Sequence, residues 1–360
     1  MTQNSTSQNV TKTLQLLPRT YFRGIGQVMF QQSSWTGLLF LLGIFWGSYH
    51  CDMPQVAWGA VVGVAAATLA GYLLGEPDAD SYAGLWGFNG VLVGCAFPTF
   101  LANTWEMWIC LVFFAMMSTW MARAYNNFLG KWKISSLTFP FVSLTWIMLF
   151  ASRIFDGLPT FAGGLSTPGL PDVTTEVSNT AWHLDMGFGD LVVYWLKGVS
   201  QVFLINDWVT GIMFLVGLLL CSRWAAMWAA IGSAISLALA IVLKANPHDI
   251  ANGLFGFSPV LTAIALGMTF YKFNWKTALW TLAGIVATVF IQGAMDVVFE
   301  PWGLPTLTGP FCVATWMFLL PQYKLQAQNF RDDSPWTRQV DKLATDIDSH
   351  LQDLADKIRT

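Results

Sequence analysis

The chain of 360 residues is 54% hydrophobic and 11% charged, with a formal net charge of −3. Soluble domains carry about 25% charged residues, so a purely water-soluble fold is excluded, and the lack of any basic stripe excludes a nucleic-acid partner. Cys51, Cys95, Cys110, Cys221 and Cys312 form no CxxC pair, and a free thiol in an apolar run acts as a small hydrophobe, so no metal or cofactor is expected.

Residues 1–14 form a polar tail that lacks the apolar core and cleavage site of a secretory signal. Apolar runs follow at 35–49, 55–75, 85–102, 106–125 and 134–152, and again at 208–221, 224–243, 253–270, 276–299 and 306–320. A spanning helix needs about 20 apolar residues. Several runs are shorter, or are broken by Gly and Pro, as suits half-spans buried in protein. The expected fold is therefore an all-α membrane protein of ten membrane helices with short half-membrane pore segments. With ten spans and the N-terminus inside, only Arg153, Lys197 and Lys244 of the 18 basic residues fall outside. The rule that basic loops stay in the cytoplasm then puts both termini there. Between the two sets of runs, 156–190 is an acidic Gly- and Pro-containing linker, expected on the extracytoplasmic side. In the last segment, 326–360, Ser334-Pro335 is a helix-start signal. Val340, Leu343, Ile347, Leu351, Leu354 and Ile358 then make one apolar stripe. That amphipathic helix is expected to pack under the bundle or touch the membrane.

The chain repeats itself. Gly24-Ile-Gly-Gln-Val-Met-Phe30 resembles Gly198-Val-Ser-Gln-Val-Phe-Leu204, offset by 174. Gly84-Leu-Trp-Gly-Phe-Asn-Gly-Val-Leu92 resembles Gly253-Leu-Phe-Gly-Phe-Ser-Pro-Val-Leu261, offset by 169. Leu137-Thr-Phe-Pro-Phe-Val-Ser-Leu-Thr-Trp146 resembles Leu307-Thr-Gly-Pro-Phe-Cys-Val-Ala-Thr-Trp316, offset by 170. Three blocks in one order predict a duplication, 15–155 and 191–325, with five spans in each half. An odd number makes the second half enter the membrane from the opposite side. Substrate sites of such inverted repeats lie near the midplane at the repeat interface.

Ionisable groups within spans mark ion coupling, and these runs hold almost none. His50, His183, His248 and His350 fall in loops or the tail, and Asp296 and Glu300 at the end of a run. Passive movement of a neutral solute is the reading that follows, with no catalytic cluster for an enzyme. The recurring polar groups are uncharged: Gln27 and Gln201, and Thr138 and Thr308 close to Pro140 and Pro310. A Gln offers one acceptor oxygen and two donors, and a Pro within a helix frees a carbonyl. For Thr138 and Thr308 the plainer alternative is a hydroxyl bonded to its own helix. Phe88 with Leu92, and Phe257 with Leu261, share a helix face, and Asn89-Gly90 and Ser258-Pro259 are expected to break the helix there. Together these groups describe a slot with aromatic and Leu walls and acceptor oxygens along one edge. It suits a flat neutral solute rich in N–H donors, since each hydrogen bond lost from water and not replaced costs about 1–3 kcal/mol. An ion pays far more.

Arg23-Gly-Ile-Gly-Gln-Val-Met-Phe30, Gly87-Phe-Asn-Gly-Val-Leu-Val-Gly94 and the Leu-Thr-x-Pro-Phe blocks resemble the urea transporter family over about 15–325. The resemblance implies a channel-like urea facilitator of bacterial type in a plasma (bacterial inner) membrane. It also implies a homotrimer in the lipid bilayer, with one pore per protomer, Phe slots at both mouths and oxygen ladders leading to Thr residues at the middle. Carried over by position, Gln27, Phe30, Phe88, Leu92 and Thr138 serve the first half, and Gln201, Val202, Phe257, Leu261 and Thr308 the second. Some members carry a carboxylate at the Gln201 position. Leu204 stands where symmetry asks for a second Phe30, so the two mouths are expected to differ. Alternative readings are a facilitator for another neutral amide or ammonia, and a membrane sensor or scaffold with 326–360 as its output.

Overall fold

The computed structural model describes residues 18–75, 79–161 and 182–325, and among them the fold is all-helical, with one isolated antiparallel bridge between Leu101 and Thr160. The tail 1–14, most of the linker and the striped segment 326–360 lie outside the described residues. The helices are α1 (18–27), α2 (Ser34–His50), α3 (Pro54–Leu74), α4 (Ala79–Ala83), α5 (Phe88–Phe100), α6 (Trp105–Leu129) and α7 (Phe139–Ala151). They are followed by α8 (Phe188–Ser200), α9 (Trp208–Cys221), α10 (Arg223–Val242), α11 (Pro247–Ala251), α12 (Phe257–Ile264), α13 (Trp275–Phe299) and α14 (Gly309–Leu319).

Polar caps start the apolar helices. Ser33, Thr104, Asp207 and Ser222 each accept from a backbone N–H three residues on, and Asn274 forms a capping box with Thr277. Each cap satisfies an orphan donor that lipid leaves unsolvated. Among the described residues α3, α6, α10 and α13 are long and apolar enough to cross a membrane. A fifth span exists if α8 and α9, bent by 72° about 201–207, count as one. At 1.5 Å per residue the 25-residue α6 and α13 reach about 37 Å, beyond a hydrocarbon core of about 30 Å. The runs at 85–102, 134–152, 253–270 and 306–320 yield shorter apolar helices. The run at 134–152 loses its first part because Leu137 takes a left-handed φ of 54° and helix begins only at Phe139.

Small residues set the packing. A Cβ on Gly59 would lie 2.1 Å from the Gly94 carbonyl oxygen, and one on Gly63 2.2 Å from that of Gly90. Helices α3 and α5 thus touch backbone to backbone, the contact that small-xxx-small spacing permits. Contacts between the halves are reciprocal. Thr36 Oγ1 donates to the Gly217 carbonyl at 2.8 Å, and Thr210 Oγ1 to that of Gly43 at 3.0 Å, across α2 and α9. Trp146 Nε1 donates to the Pro305 carbonyl and Trp316 Nε1 to that of Ser135, both at 2.9 Å. The large core cluster runs through both halves, while Trp, Leu and Phe side chains lie exposed along α2, α6 and α13. Such a surface suits lipid rather than water.

Candidate functional site

Two cavities converge on a pair of threonines. One, of about 400 Å³, is lined by Gln201, Val202, Phe257 and Thr308 together with Phe141. The other, of about 830 Å³, is lined by Gln27, Phe30, Phe88 and Thr138 together with Phe311. Thr138 and Thr308 are each 3% exposed. Their Oγ1 atoms lie 2.6 Å apart, and Thr138 Oγ1 also lies 3.3 Å from Cys312 Sγ. Neither hydroxyl is bonded to its own helix; each faces its counterpart 170 residues away.

The local sequence explains this placement. Leu137 and Leu307 take φ values of 54° and 52°, and Thr138 and Thr308 follow at the N-cap positions of α7 and α14. Pro140 and Pro310 sit in the first turn rather than the helix interior, where the missing N–H costs nothing. The expectation of a Pro inside a helix is therefore corrected: each Pro stands in the first turn, and the irregular backbone lies before the helix. The expected breaks at Asn89-Gly90 and Ser258-Pro259 are corrected in the same way. Both pairs lie in the opening turn of continuous helices, α5 and α12. The turn precedes them, at Gly84 and Gly253, with φ of 87° and 71°. A Cβ at either glycine would lie 2.5 Å from a backbone nitrogen, of Gly24 and Gly198 respectively.

These turns hold the glutamines. Gln27 Nε2 donates to the Ala83 carbonyl and Gln201 Nε2 to that of Asn252, each at 2.9 Å. The amide donor secures the box, while Oε1 of each Gln has no hydrogen-bond partner among the described residues. Phe88 and Phe257 open α5 and α12 and are half-buried at the cavity walls. Phe30, at a φ of 61°, meets Phe270 and Phe311 edge to face at 6.0 and 6.1 Å. Leu204, at 59°, lines the smaller cavity in the matching position. Leu92 and Leu261 are fully buried in the core and line neither cavity.

Among the aromatic wall residues that sequence reasoning missed are Phe141, Phe311 and Phe270. Phe141 comes from the first half but lines the cavity of Phe257, and Phe311 from the second half lines that of Phe88. Their repeated Pro-Phe was the available signal. Phe270 follows a π-turn, Ala265–Thr269, that has no repeat in the first half. The cavities also differ in charge. Asp249 and Asp296 line the smaller with no Lys, Arg or His, whereas Arg123 lines the larger with no carboxylate. At the threonine pair itself the named groups are neutral.

The sequence profile of the family described as Urea transporter matches residues 19–323. The chain is similar to "Urea transporter 1" of Ovis aries, 33% identical over 302 residues that cover 83% of this chain and 75% of that protein. It is similar to "Urea transporter 1" of Mus musculus at 31% over 305 residues, with the same coverage.

Proposed function

Because this chain belongs to the urea transporter family, we propose that it conducts urea passively across a membrane, as a facilitator and not as an enzyme. The observation that carries the reading is the neutral meeting point of two aromatic-walled cavities at Thr138 and Thr308. A planar amide can slide between Phe faces and hand its N–H donors to oxygen after oxygen, so each hydrogen bond to water is replaced as it is lost. A cation gains no carboxylate at that point and meets the full cost of desolvation. Gln27, Phe30, Phe88 and Thr138 serve one mouth of this pathway, and Gln201, Val202, Phe257 and Thr308 the other, while Leu92 and Leu261 pack in the core and line neither.

The architecture we assign is two inverted five-helix repeats, 15–155 and 191–325, making ten membrane helices in all. The reciprocal hydrogen bonds between α2 and α9, and those of Trp146 and Trp316, support a two-fold relation of the halves. Both termini then face the cytoplasm of a bacterial inner membrane, with three copies forming a homotrimer. Stopped-flow urea flux into proteoliposomes tests the function. Flux is expected to be downhill, saturable and unchanged by proton or sodium gradients, and gradient-driven accumulation would overturn the reading. Competition by acetamide and by ammonium in the same assay separates urea selectivity from a general amide or ammonia path.

A further inference from the structure

The cavity of Phe257 carries polar groups that the pathway above leaves unused. Helix α13 places Gln292 and Asp296 four residues apart, on one face, and both line this cavity. Gln292 is 3% exposed; its Nε2 donates to the Leu254 carbonyl at 2.5 Å, and its Oε1 has no partner. Ser48 Oγ, from a fully buried residue that lines the same cavity, has no partner either. Asp296 accepts from Thr306 Oγ1 at 3.0 Å, which leaves its second oxygen uncommitted. Asp249 and Glu300 are near enough to act on Asp296 through their charge. Asp249 has His248 Nδ1 at 3.6 Å, on a side chain that is mostly exposed. Acceptors and negative charge therefore accumulate on this wall with no Lys, Arg or His among the residues that line the cavity; Lys197 is near enough to act on Cys51 through its charge, but its Nζ donates to the Ala251 carbonyl at 3.3 Å. Among the described residues no cluster of His, Cys, Asp and Glu has the make-up of a metal site.

We propose that this wall is a binding site for a small planar cation bearing N–H donors, of the guanidinium type. The site lies to one side of the neutral threonine pair. The inference rests on the conducting role assigned above only for its consequence: the cation binds but does not pass, and it inhibits urea flux from one face. Charge attracts the ligand, and forked N–H groups match a carboxylate beside an amide oxygen. The threonine pair then stops it, because nothing there repays its desolvation. The opposite cavity carries Arg123 and offers no such wall.

The test is calorimetric titration of the full-length protein in detergent with millimolar guanidinium, at ionic strength balanced with sodium chloride. Saturable binding is expected, with affinity about tenfold weaker in D296N and in D249N, the worth of one charge-assisted hydrogen bond. Asn at 296 keeps an acceptor for Thr306, much as Asn126 Oδ1 accepts from the Ser136 backbone N–H at the corresponding place in the first half. Absence of saturable heat, unchanged affinity in both variants, or equal displacement by sodium would overturn the site. In oriented vesicles, guanidinium is expected to inhibit urea flux from one face alone. Equal inhibition from both faces, or none while urea flux persists, would also overturn it. Guanidinium binding without any urea flux would instead refute the conducting role and leave the site standing.

Discussion

Thr138 and Thr308 show how a polar pair can be buried inside an apolar molecule. Each hydroxyl answers the other at 2.6 Å, so neither is left unsatisfied. Removing Thr138 strands the Thr308 hydroxyl at a cost of about 1–3 kcal/mol, removing Thr308 leaves Thr138 only the weaker contact with Cys312 Sγ at 3.3 Å, and removing both is close to neutral. Thr138→Val and Thr308→Val are therefore each expected to lower the melting temperature in detergent, and the double variant to lie above the sum of the two. Urea flux is expected to fall about tenfold in either single variant, equivalent to about 1.4 kcal/mol at the barrier. It should not recover in the double variant, because the acceptors are gone. Recovery of flux along with stability would mean that the pair only packs the core. The pair was legible in the sequence as a repeated Thr-x-Pro. The 2.6 Å approach of the two hydroxyls was not, because an offset of 170 residues carries no side-chain geometry. Phe141 and Phe311 were harder still: a Phe in an apolar run carries no mark of wall rather than core until the opposite half is placed beside it.

At the scale of elements, the repeated boxes depend on one turn more than on the helices they open. Gly84 and Gly253 have a left-handed φ, and the space a Cβ would need is held by backbone of α1 and α8. A left-handed conformation costs an L-residue about 1–2 kcal/mol, and here the clash adds to it. Gly84→Ala and Gly253→Ala are expected to cut the yield of monodisperse protein in size-exclusion chromatography severalfold. Gly130→Ala has nothing within 4 Å of the new Cβ and a helical φ of −59°, and it should leave the yield unchanged or improved. Equal losses at all three positions would remove the special role of the turn. Element lengths were only partly legible. Hydropathy finds apolar runs but cannot tell a span from a half-length helix. Residues 134–138 are apolar enough to extend α7, yet the positive φ of Leu137 stops it. Helix α8 escaped notice because Asp190, Lys197 and its glycines dilute the run, while its bend into α9 recruits 208–221 to the same broken span.

Across the whole molecule, the two halves we propose are joined by like contacts and carry unlike cavities. Reciprocal bonds tie α2 to α9 and the segment before α14 to α7, whereas the cavities differ in volume, about 400 against 830 Å³, and in the sign of their charges. Unequal mouths do not make a passive conductor directional. With no coupled ion, net flux must vanish when urea is equal on both sides, whatever the affinities at the two ends. The ratio of maximal flux to half-saturating concentration must therefore be the same in both directions, even though the half-saturating concentrations themselves differ. Urea is expected to half-saturate at different concentrations from the two faces of oriented vesicles, because one mouth meets it with carboxylates and Gln292 and the other with Arg123. Exchanging charge for a neutral isostere, as in D296N, should shift the value for one face and leave the equality of the ratios intact. Unequal ratios at zero ion gradient could arise only from an energy source, and would refute passive conduction more directly than any single substitution.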